Sequence, residues 1–335
     1  MNFRTKRLFV RAFALLAFNT CAQANDSTAE LAVGGLVLTH HEGIEMRAED
    51  LFISEKEVRV HYRFYNTATT DTTVLVAFPM PDIEVDGIDF MTAVPTENPE
   101  NFLDFKTEVD GKAVKARVEQ KAFKGGAEQT AKLRSLGVPL QAHLRGTAQA
   151  LDRLPKAAQE ELVKLELAID EDYDEGKGLE HHLAPTWTLK TTYFWEQTFP
   201  ARKEIVVTHR YQPSVGGSAQ TALEMPGEAS SYERFCVDAD LRAAAKKGQA
   251  RAKTDYLPYG EKRISYILTT GANWASPIAD FRVVIDKGSP DYLLSFCGDH
   301  VRKLSATQFE WRRQDYRPDH DLHILLLTPL PPPTL

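Results

Sequence analysis

An acidic segment near the middle of the chain has a spacing suited to metal binding. Asp170, Asp172 and Asp174 occupy positions one, three and five of a calcium-loop pattern, where carboxylates can converge on one hard cation. Glu175 stands where such a loop needs glycine, and His181 stands where it needs a bidentate acid. The sequence therefore predicts no cofactor and assigns no metal centre. Weak calcium binding by the three aspartates and a solvated acidic linker remain as alternatives.

Other patterns associated with catalysis are incomplete. The run from His41 to Glu45 has a glutamate where a zinc-protease helix needs its second histidine, and its surroundings are strand-like. The run from Gly216 to Ser218 lacks the glycine spacing of a nucleophile elbow. Catalytic residues are therefore unknown. Because residues far apart in sequence can meet in a fold, these gaps weaken the enzyme hypothesis without removing it.

The first 24 residues have the layout of a cleavable secretory signal. The segment opens with four basic residues, continues with a short apolar run and ends in Ala22-Gln23-Ala24. The apolar run is far shorter than the ~20 residues that span a bilayer. We expect cleavage after Ala24 and a periplasmic or secreted protein, with a lipid anchor on Cys21 as the alternative. The chain after the leader contains no apolar stretch long enough for a membrane span.

Removal of the leader leaves two cysteines, Cys236 and Cys297. In an oxidising compartment such a pair predicts one disulfide, and two separate buried thiols are the alternative. Closing a loop of this length would stabilise the fold by roughly 4 kcal/mol on a chain-entropy estimate.

The chain after the leader has 36 basic and 47 acidic residues, a formal charge of −11. This acidity argues against a nucleic-acid partner, because phosphates require a basic face. It also argues against electrostatic attraction to anionic lipid. A protein or another component of the cell envelope remains as the class of partner. A chain of this length can bury a sizeable core and typically forms two domains.

Alternating apolar residues predict antiparallel β structure in two blocks. In the first block one phase of a strand consists of Val58, Val60, Tyr62 and Phe64. In the second block one phase consists of Ile205, Val207, His209 and Tyr211. The aromatic residues Tyr193 and Trp195 share a phase and are predicted to be core.

Helical patterns separate and follow these blocks. Residues 127–136 predict a short helix, and residues 147–168 predict a helical stretch divided at Pro155. A further short helix is predicted over residues 240–247, with Gly248 as its end.

The predicted fold class is mainly β, with two antiparallel β-sandwich-like units and an inserted helical block. The predicted boundaries are 1–24 for the signal peptide, 25–120 plus 186–225 for an N-terminal β-sandwich, 121–185 for the helical insertion, 226–328 for a C-terminal β-sandwich and 329–335 for a disordered tail.

Several strings resemble an uncharacterised family of exported bacterial proteins, domain-of-unknown-function family 4424. They include residues 76–82 (VAFPMPD), 195–200 (WEQTFP) and 269–274 (TTGANW). The resemblance extends over most of the chain after the leader and is weaker in the helical block. It implies export and supplies no established activity, cofactor or catalytic residue.

Two classes of function follow from these observations. The favoured hypothesis is a non-enzymatic cell-envelope binding or scaffold protein, with its contact surface in the helical block. The alternative is an exported hydrolase or carbohydrate-active enzyme, which would need two carboxylates with perturbed pKa values facing each other across a cleft.

Overall fold

The structure is a computed structural model that describes residues 25–32, 35–85, 92–174, 176 and 178–331. The predicted signal peptide, 1–24, and residues 332–335 of the predicted tail lie outside the described residues. The described chain is mainly β, as predicted. Within those ranges no helix is long and apolar enough to cross a membrane.

The elements follow the chain in this order. The strands of the first part are β1 (Ser27–Ala32), β2 (Gly35–Thr39), β3 (Ile44–Ile53), β4 (Val58–Asn66), β5 (Thr72–Pro79), β6 (Ile83–Glu84), β7 (Thr92–Ala93), β8 (Lys106–Val109), β9 (Lys112–Val114), β10 (Arg117–Lys124) and β11 (Ala127–Glu128). The later strands are β12 (Ala168–Asp174), β13 (Leu179–Pro185), β14 (Thr188–Phe199), β15 (Glu204–Tyr211), β16 (Val215–Ser218), β17 (Tyr259–Tyr266), β18 (Ile278–Asp286), β19 (Leu293–Phe296), β20 (Arg302–Lys303), β21 (Gln308–Tyr316) and β22 (Leu322–Pro329). The α-helices are α1 (Thr130–Ser135), α2 (Arg145–Asp152), α3 (Lys156–Lys164) and α4 (Ala239–Ala252). Two 3₁₀ helices are Ala229–Phe235 and Thr269–Asn273.

The described strands form three larger sheets and one hairpin. Sheet I has seven strands, in the order β11-β10-β14-β5-β1-β2 with β6 also paired to β14. Sheet II has eight strands, in the order β20-β21-β18-β3-β4-β15-β8-β9. Sheet III has five strands, in the order β19-β22-β17-β16-β7, and β12 pairs with β13 alone.

Period-two alternation explains the strands at the centre of sheet II. In β4 the residues Val58, Val60, Tyr62 and Phe64 are at most 1% exposed, which confirms the predicted inward phase. In β15 the predicted phase is buried as well, including His209 at 0% exposure. These two strands pair along their whole length, so the inward residues of both form one continuous surface.

The main hydrophobic core connects early and late strands of the described chain. β18 pairs in parallel with β3, so residues 278–286 lie in the same sheet as residues 44–53. The main apolar cluster includes Leu51 and Trp195 as well as Phe281 and Ile324. Segments on both sides of the predicted boundaries at residues 120, 186 and 226 therefore share hydrogen bonds and a hydrophobic core. The predicted division into units stays a prediction.

The predicted helical block is only partly helical. Its first residues belong to β10, which pairs with β14, and its last residues form the hairpin of β12 and β13. α2 and α3 are separated near Pro155, which stands at the N-cap of α3 because its fixed φ suits a helix start. Leu133, Leu151 and Leu162 are 0% exposed, so the helices of this block pack into the main core.

α4 is longer than predicted. The helix continues through Gly248 to Ala252, where the sequence pattern predicted its end at the glycine. A Cβ at Gly248 would overlap the hydroxyl of Tyr259, so the glycine allows close packing of this aromatic ring rather than ending the helix.

Cys236 and Cys297 form a disulfide, as predicted. Cys236 directly follows the 3₁₀ helix Ala229–Phe235, and Cys297 directly follows β19. Ser295 donates to the carbonyl oxygen of Phe235 over 2.9 Å, which holds the same two segments together beside the disulfide.

Candidate functional site

A sealed polar cluster lies where the start of the described chain meets sheet II. The side-chain amide of Asn25 donates to Glu49 Oε2 over 2.9 Å. The hydroxyl of Tyr62 donates to Asn25 Oδ1 and lies 2.9 Å from the hydroxyl of Tyr266. The hydroxyl of Thr270 donates to the carbonyl oxygen of Asn25 over 2.6 Å. These bonds hold the residue just after the predicted cleavage point inside the molecule.

The cluster also contains a buried carboxylate–imidazole contact. His209 Nε2 lies 3.0 Å from Asp26 Oδ1, and both side chains are 0% exposed. The indole nitrogen of Trp274 donates to the carbonyl oxygen of Asp26 over 2.6 Å. Burial raises the pKa of Asp26, and the imidazole of His209 lowers it in part, so the net direction is upward.

Glu49 has a strongly perturbed pKa. The side chain is 1% exposed, and burial raises its pKa to about 8, while hydrogen bonds from Asn25 and Tyr266 oppose that rise. Two carboxylates with raised pKa values, Glu49 and Asp26, thus lie in one cluster. They do not face an open cleft, because both are sealed from solvent. The cluster in this form cannot receive a substrate.

A β-bulge places Glu49 in this cluster. The register of β3 against β4 shifts between Met46 and Ala48. Before the bulge the inward residues are Ile44 and Met46, and after it they are Glu49, Leu51 and Ile53. The extra residue reverses which face each later side chain occupies. Regular alternation from Ile44 would have placed Glu49 in solvent.

An open groove lies on one face of sheet I. We call it the sheet groove; it has a volume of about 460 Å³. Its apolar lining includes Leu36, Leu38, Met80 and Phe123, and its charged lining consists of Asp82, Glu84, Glu119, Lys121 and Lys190. β14 forms the centre of the lining, between β10 on one side and β5 and β6 on the other. Mixed apolar and charged walls are typical of sites that bind small molecules.

The charges of the sheet groove are arranged in pairs. Lys121 and Lys190 stand directly opposite each other on β10 and β14, an arrangement that destabilises a sheet unless the charges are compensated. Lys190 Nζ lies 3.0 Å from Asp82 Oδ2, and Lys121 Nζ lies 3.5 Å from Glu119 Oε2. Burial raises the pKa of Asp82, and the Lys190 ammonium opposes that rise. The groove therefore offers both signs of charge in a partly desolvated setting.

Lys190 also contacts an aromatic ring. Its ammonium lies 5.3 Å from the centre of the Phe123 ring, a distance at which a cation is attracted to the ring face. The Phe123 ring and Asp82 thus hold one ammonium between them. Among the described residues of the groove, Lys190 is the cation best positioned to contact an anionic group of a ligand.

A second concave region is more strongly charged. It has a volume of about 470 Å³ and is lined by residues of β8, β15 and the turn before β4. Lys106 contacts Asp104 over 2.8 Å there, and Arg210 contacts Glu57. Its only described ring is that of Tyr211. We favour the sheet groove as the binding site because it combines charge with apolar surface.

The acidic segment predicted as a loop forms a β-hairpin. Asp170 and Asp172 lie in β12, and the ring nitrogens of His181 lie 3.1 Å and 3.0 Å from their carboxylates. Asp174 ends the strand, and its carboxylate accepts from the amide of Gly176 over 2.6 Å. The loop prediction is wrong, because cross-strand pairing with β13 extends this backbone. In the described part of the chain no three acidic, histidine or cysteine side chains form a group that could hold a metal. Calcium binding by Asp170, Asp172 and Asp174 stays a prediction, although the described segment is a hairpin and not the loop on which that prediction was based.

The comparison with known families agrees with the strings quoted above. A family model described as a domain of unknown function, DUF4424, matches residues 24–325. The chain belongs to the DUF4424 family. The predicted resemblance is thereby confirmed, while export of this DUF4424 protein stays a prediction.

Curated proteins and solved structures add little to the DUF4424 assignment. A search of curated proteins finds no match. Among solved structures, the DUF4424 chain is similar to a crystal structure from Legionella pneumophila, provisionally named a nutrient binding protein. The two are 14% identical with a TM-score of 0.42, and the match covers 91% of this chain and 70% of that chain. This likeness is too weak to transfer a function.

Sequence reasoning missed both the sealed cluster and the sheet groove. The groove draws residues from β2, β5, β6, β10 and β14, which only sheet pairing brings together. One signal was present for the cluster, because His209 shares its strand phase with three apolar residues of β15. A polar side chain in a buried phase needs a polar partner.

Proposed function

We propose that this DUF4424 protein is an exported, non-enzymatic binding protein of the cell envelope, and that the sheet groove holds its ligand. The observation that carries the proposal is the pairing of Lys190 with Asp82 beside the Phe123 ring, in an open groove with apolar walls. Such a site can hold and orient a small molecule through charged and apolar contacts.

The chemistry of the groove points to a zwitterionic ligand. Three carboxylates and two ammonium groups line it, beside the apolar side chains of β2 and β10. A ligand with one group of each charge can exchange partners with the existing ion pairs, so that each buried charge remains compensated. Amino acids and short peptides have this combination of charges with an apolar part.

The distribution of perturbed carboxylates supports binding over catalysis. Hydrolysis of a glycosidic bond by the usual mechanism would require a pair of acidic groups in contact with substrate. Glu49 and Asp26, whose pKa values are raised, are sealed in the interior. Asp82 also has a raised pKa and lines the sheet groove, where Lys190 holds it in an ion pair. The disulfide supports a location outside the reducing cytosol, in the periplasm or beyond the cell.

The structure also changes how the predicted contact surface should be tested. Deleting residues 121–185 would remove β10 from its pairing with β14 and remove buried leucines from the core. Loss of binding after this deletion would therefore follow from unfolding. A point substitution in the groove separates binding from folding.

The test is calorimetric titration of the exported protein with single amino acids and dipeptides, with neutral sugars as a comparison. We expect at least one zwitterion to bind, and we expect Lys190→Met to weaken that binding at least about tenfold, the typical worth of a charged hydrogen bond. Lys246→Met is the matched control, since this lysine pairs with Glu224 over 3.1 Å on α4 and does not line the groove. Binding that is unchanged in Lys190→Met would overturn the site, and cleavage of a dipeptide would favour the hydrolase alternative.

A further inference from the structure

We propose that cleavage after Ala24 creates an α-ammonium group on Asn25, and that this buried group completes the sealed cluster as the counter-ion of Glu49 and Asp26. Hydrolysis of the Ala24–Asn25 bond by a signal-peptide-cleaving protease consumes one water and leaves a carboxylate on Ala24 and an ammonium on Asn25. The inference shares only leader removal with the proposed function and is independent of ligand binding in the groove.

The position of Asn25 is the first argument. Asn25 is 0% exposed, and its backbone nitrogen donates to the hydroxyl of Thr270. Its side chain is bonded on both sides, to Glu49 and to Tyr62. A residue at a disordered chain end makes no such set of contacts. The interior is therefore built around the residue that the predicted cleavage would make the first.

The packing around Asn25 is the second argument. A Cβ at Gly271 would come within 2.7 Å of the Asn25 side-chain nitrogen. The 3₁₀ helix Thr269–Asn273 thus follows the surface of Asn25 closely. Asn273 donates to Ser27 Oγ over 2.9 Å, so the same helix also holds the start of β1.

The charge in the cluster is the third argument. Two carboxylates are buried there, and His209 is the one imidazole, lysine or arginine side chain that the described cluster contacts provide. Asp26 Oδ2 is buried without a hydrogen-bond partner among the described residues. A buried carboxylate without a partner is strongly unfavourable. An ammonium on Asn25 would supply the missing cation and two further N–H donors to this cluster.

The ionisable groups bonded within this cluster are Asp26, Glu49, Tyr62, His209 and Tyr266. Tyr316 interacts electrostatically with Glu49, Tyr211 interacts with Tyr266, and Asp321 accepts from the start of the 3₁₀ helix Thr269–Asn273. When residue 24 remains attached, the nitrogen of Asn25 is a neutral amide with one donor. Retention of a single extra residue should therefore destabilise the fold through loss of charge.

The experiment compares chains that begin at Asn25 and at Ala24, each with and without Glu49→Gln. We expect the chain beginning at Ala24 to melt at least about 3 °C lower, and we expect Glu49→Gln to reduce that difference to less than half. Glu261→Gln is the matched control, because Glu261 is also buried but is bonded to Thr221, Tyr232 and Arg263. In the Glu261→Gln variants the full difference in melting temperature between the two chains should persist. The proposal would be overturned if the two chains had the same melting temperature. It would also be overturned if the difference between them were as large with Glu49→Gln as without it.

Two further measurements keep the test decisive if Glu49→Gln does not fold. Mass spectrometry of the chain exported with its own leader should give Asn25 as the first residue. An amine-acylating reagent at neutral pH should label that α-amine only after unfolding. A different first residue, or labelling of the folded protein, contradicts the proposal.

Discussion

The side-chain amide of Asn25 donates to the carboxylate of Glu49 over 2.9 Å in a region closed to solvent. One partner precedes the first strand, and the other faces inward because of a bulge in β3. This bond joins the start of the described chain to the central sheet. It is one side of a closed ring of hydrogen bonds that runs from Asn25 through Tyr62 and Tyr266 back to Glu49.

The raised pKa of Glu49 predicts a pH-dependent stability in any chain that keeps a residue before Asn25. The folded pKa is about 8 and the ordinary value is 4.5, so between these values the folded state holds a proton that the unfolded state has lost. The free energy of unfolding should therefore fall as pH rises from 5 to 8. Urea titrations across this range measure it. Glu49→Gln should flatten the profile, and an equally steep fall in that variant would disprove the assignment.

His143 predicts the opposite pH dependence. Its ring packs against Phe102 at 4.7 Å, neither ring nitrogen has a partner among the described residues, and burial lowers its pKa to about 4. Below pH 6.5 the unfolded state binds a proton that the folded state does not, so stability is lost as pH falls. His143→Leu should stabilise the protein at pH 5 relative to pH 7.5, by up to about 2 kcal/mol. A stability difference that is the same at both pH values would contradict this explanation.

Two helical glycines predict opposite responses to alanine. Gly248→Ala should destabilise the protein by about 1–3 kcal/mol, because the new methyl group would overlap Tyr259. Gly146→Ala in α2 has open space around the new atom and should stabilise the helix by up to about 1 kcal/mol. Thermal unfolding of both variants measures the contrast. A neutral Gly248→Ala would show that the Tyr259 ring moves freely.

Removal of the disulfide should lower stability by about 4 kcal/mol, since Cys236 and Cys297 are 61 positions apart. The double variant Cys236→Ser, Cys297→Ser should melt at the same temperature with and without reductant, while the unaltered chain should melt lower when reduced. If the melting temperature of the unaltered chain does not change when reductant is added, the disulfide adds no stability.

Local pattern was sufficient for some of the fold. Val58 to Phe64 alternate regularly, and the strand they form is buried in the predicted phase. Pro155 separated two helices as expected because proline favours a helix start. Tyr193 and Trp195 are core residues, each 3% exposed, as their shared phase predicted.

Non-local pairing determined the rest. The parallel pairing of β18 with β3 leaves no local trace in either segment. The bulge after Met46 reversed the face of Glu49, which alternation alone placed in solvent. No local pattern connects Lys121 with Lys190, and only the register of β10 with β14 brings them into one groove.

The most direct test of the account is methyl NMR of the exported protein labelled at its methionines, during titration with single zwitterionic amino acids and dipeptides. Met80 lines the sheet groove, whereas Met225 is 52% exposed elsewhere and Met46 is buried in the core. We predict that a binding zwitterion shifts the methyl signal of Met80 and leaves that of Met225 unchanged, and that Lys190→Met requires at least about tenfold more ligand for the same Met80 shift. A ligand that binds without moving the Met80 signal, or a panel in which no zwitterion binds, would contradict a ligand site in this groove.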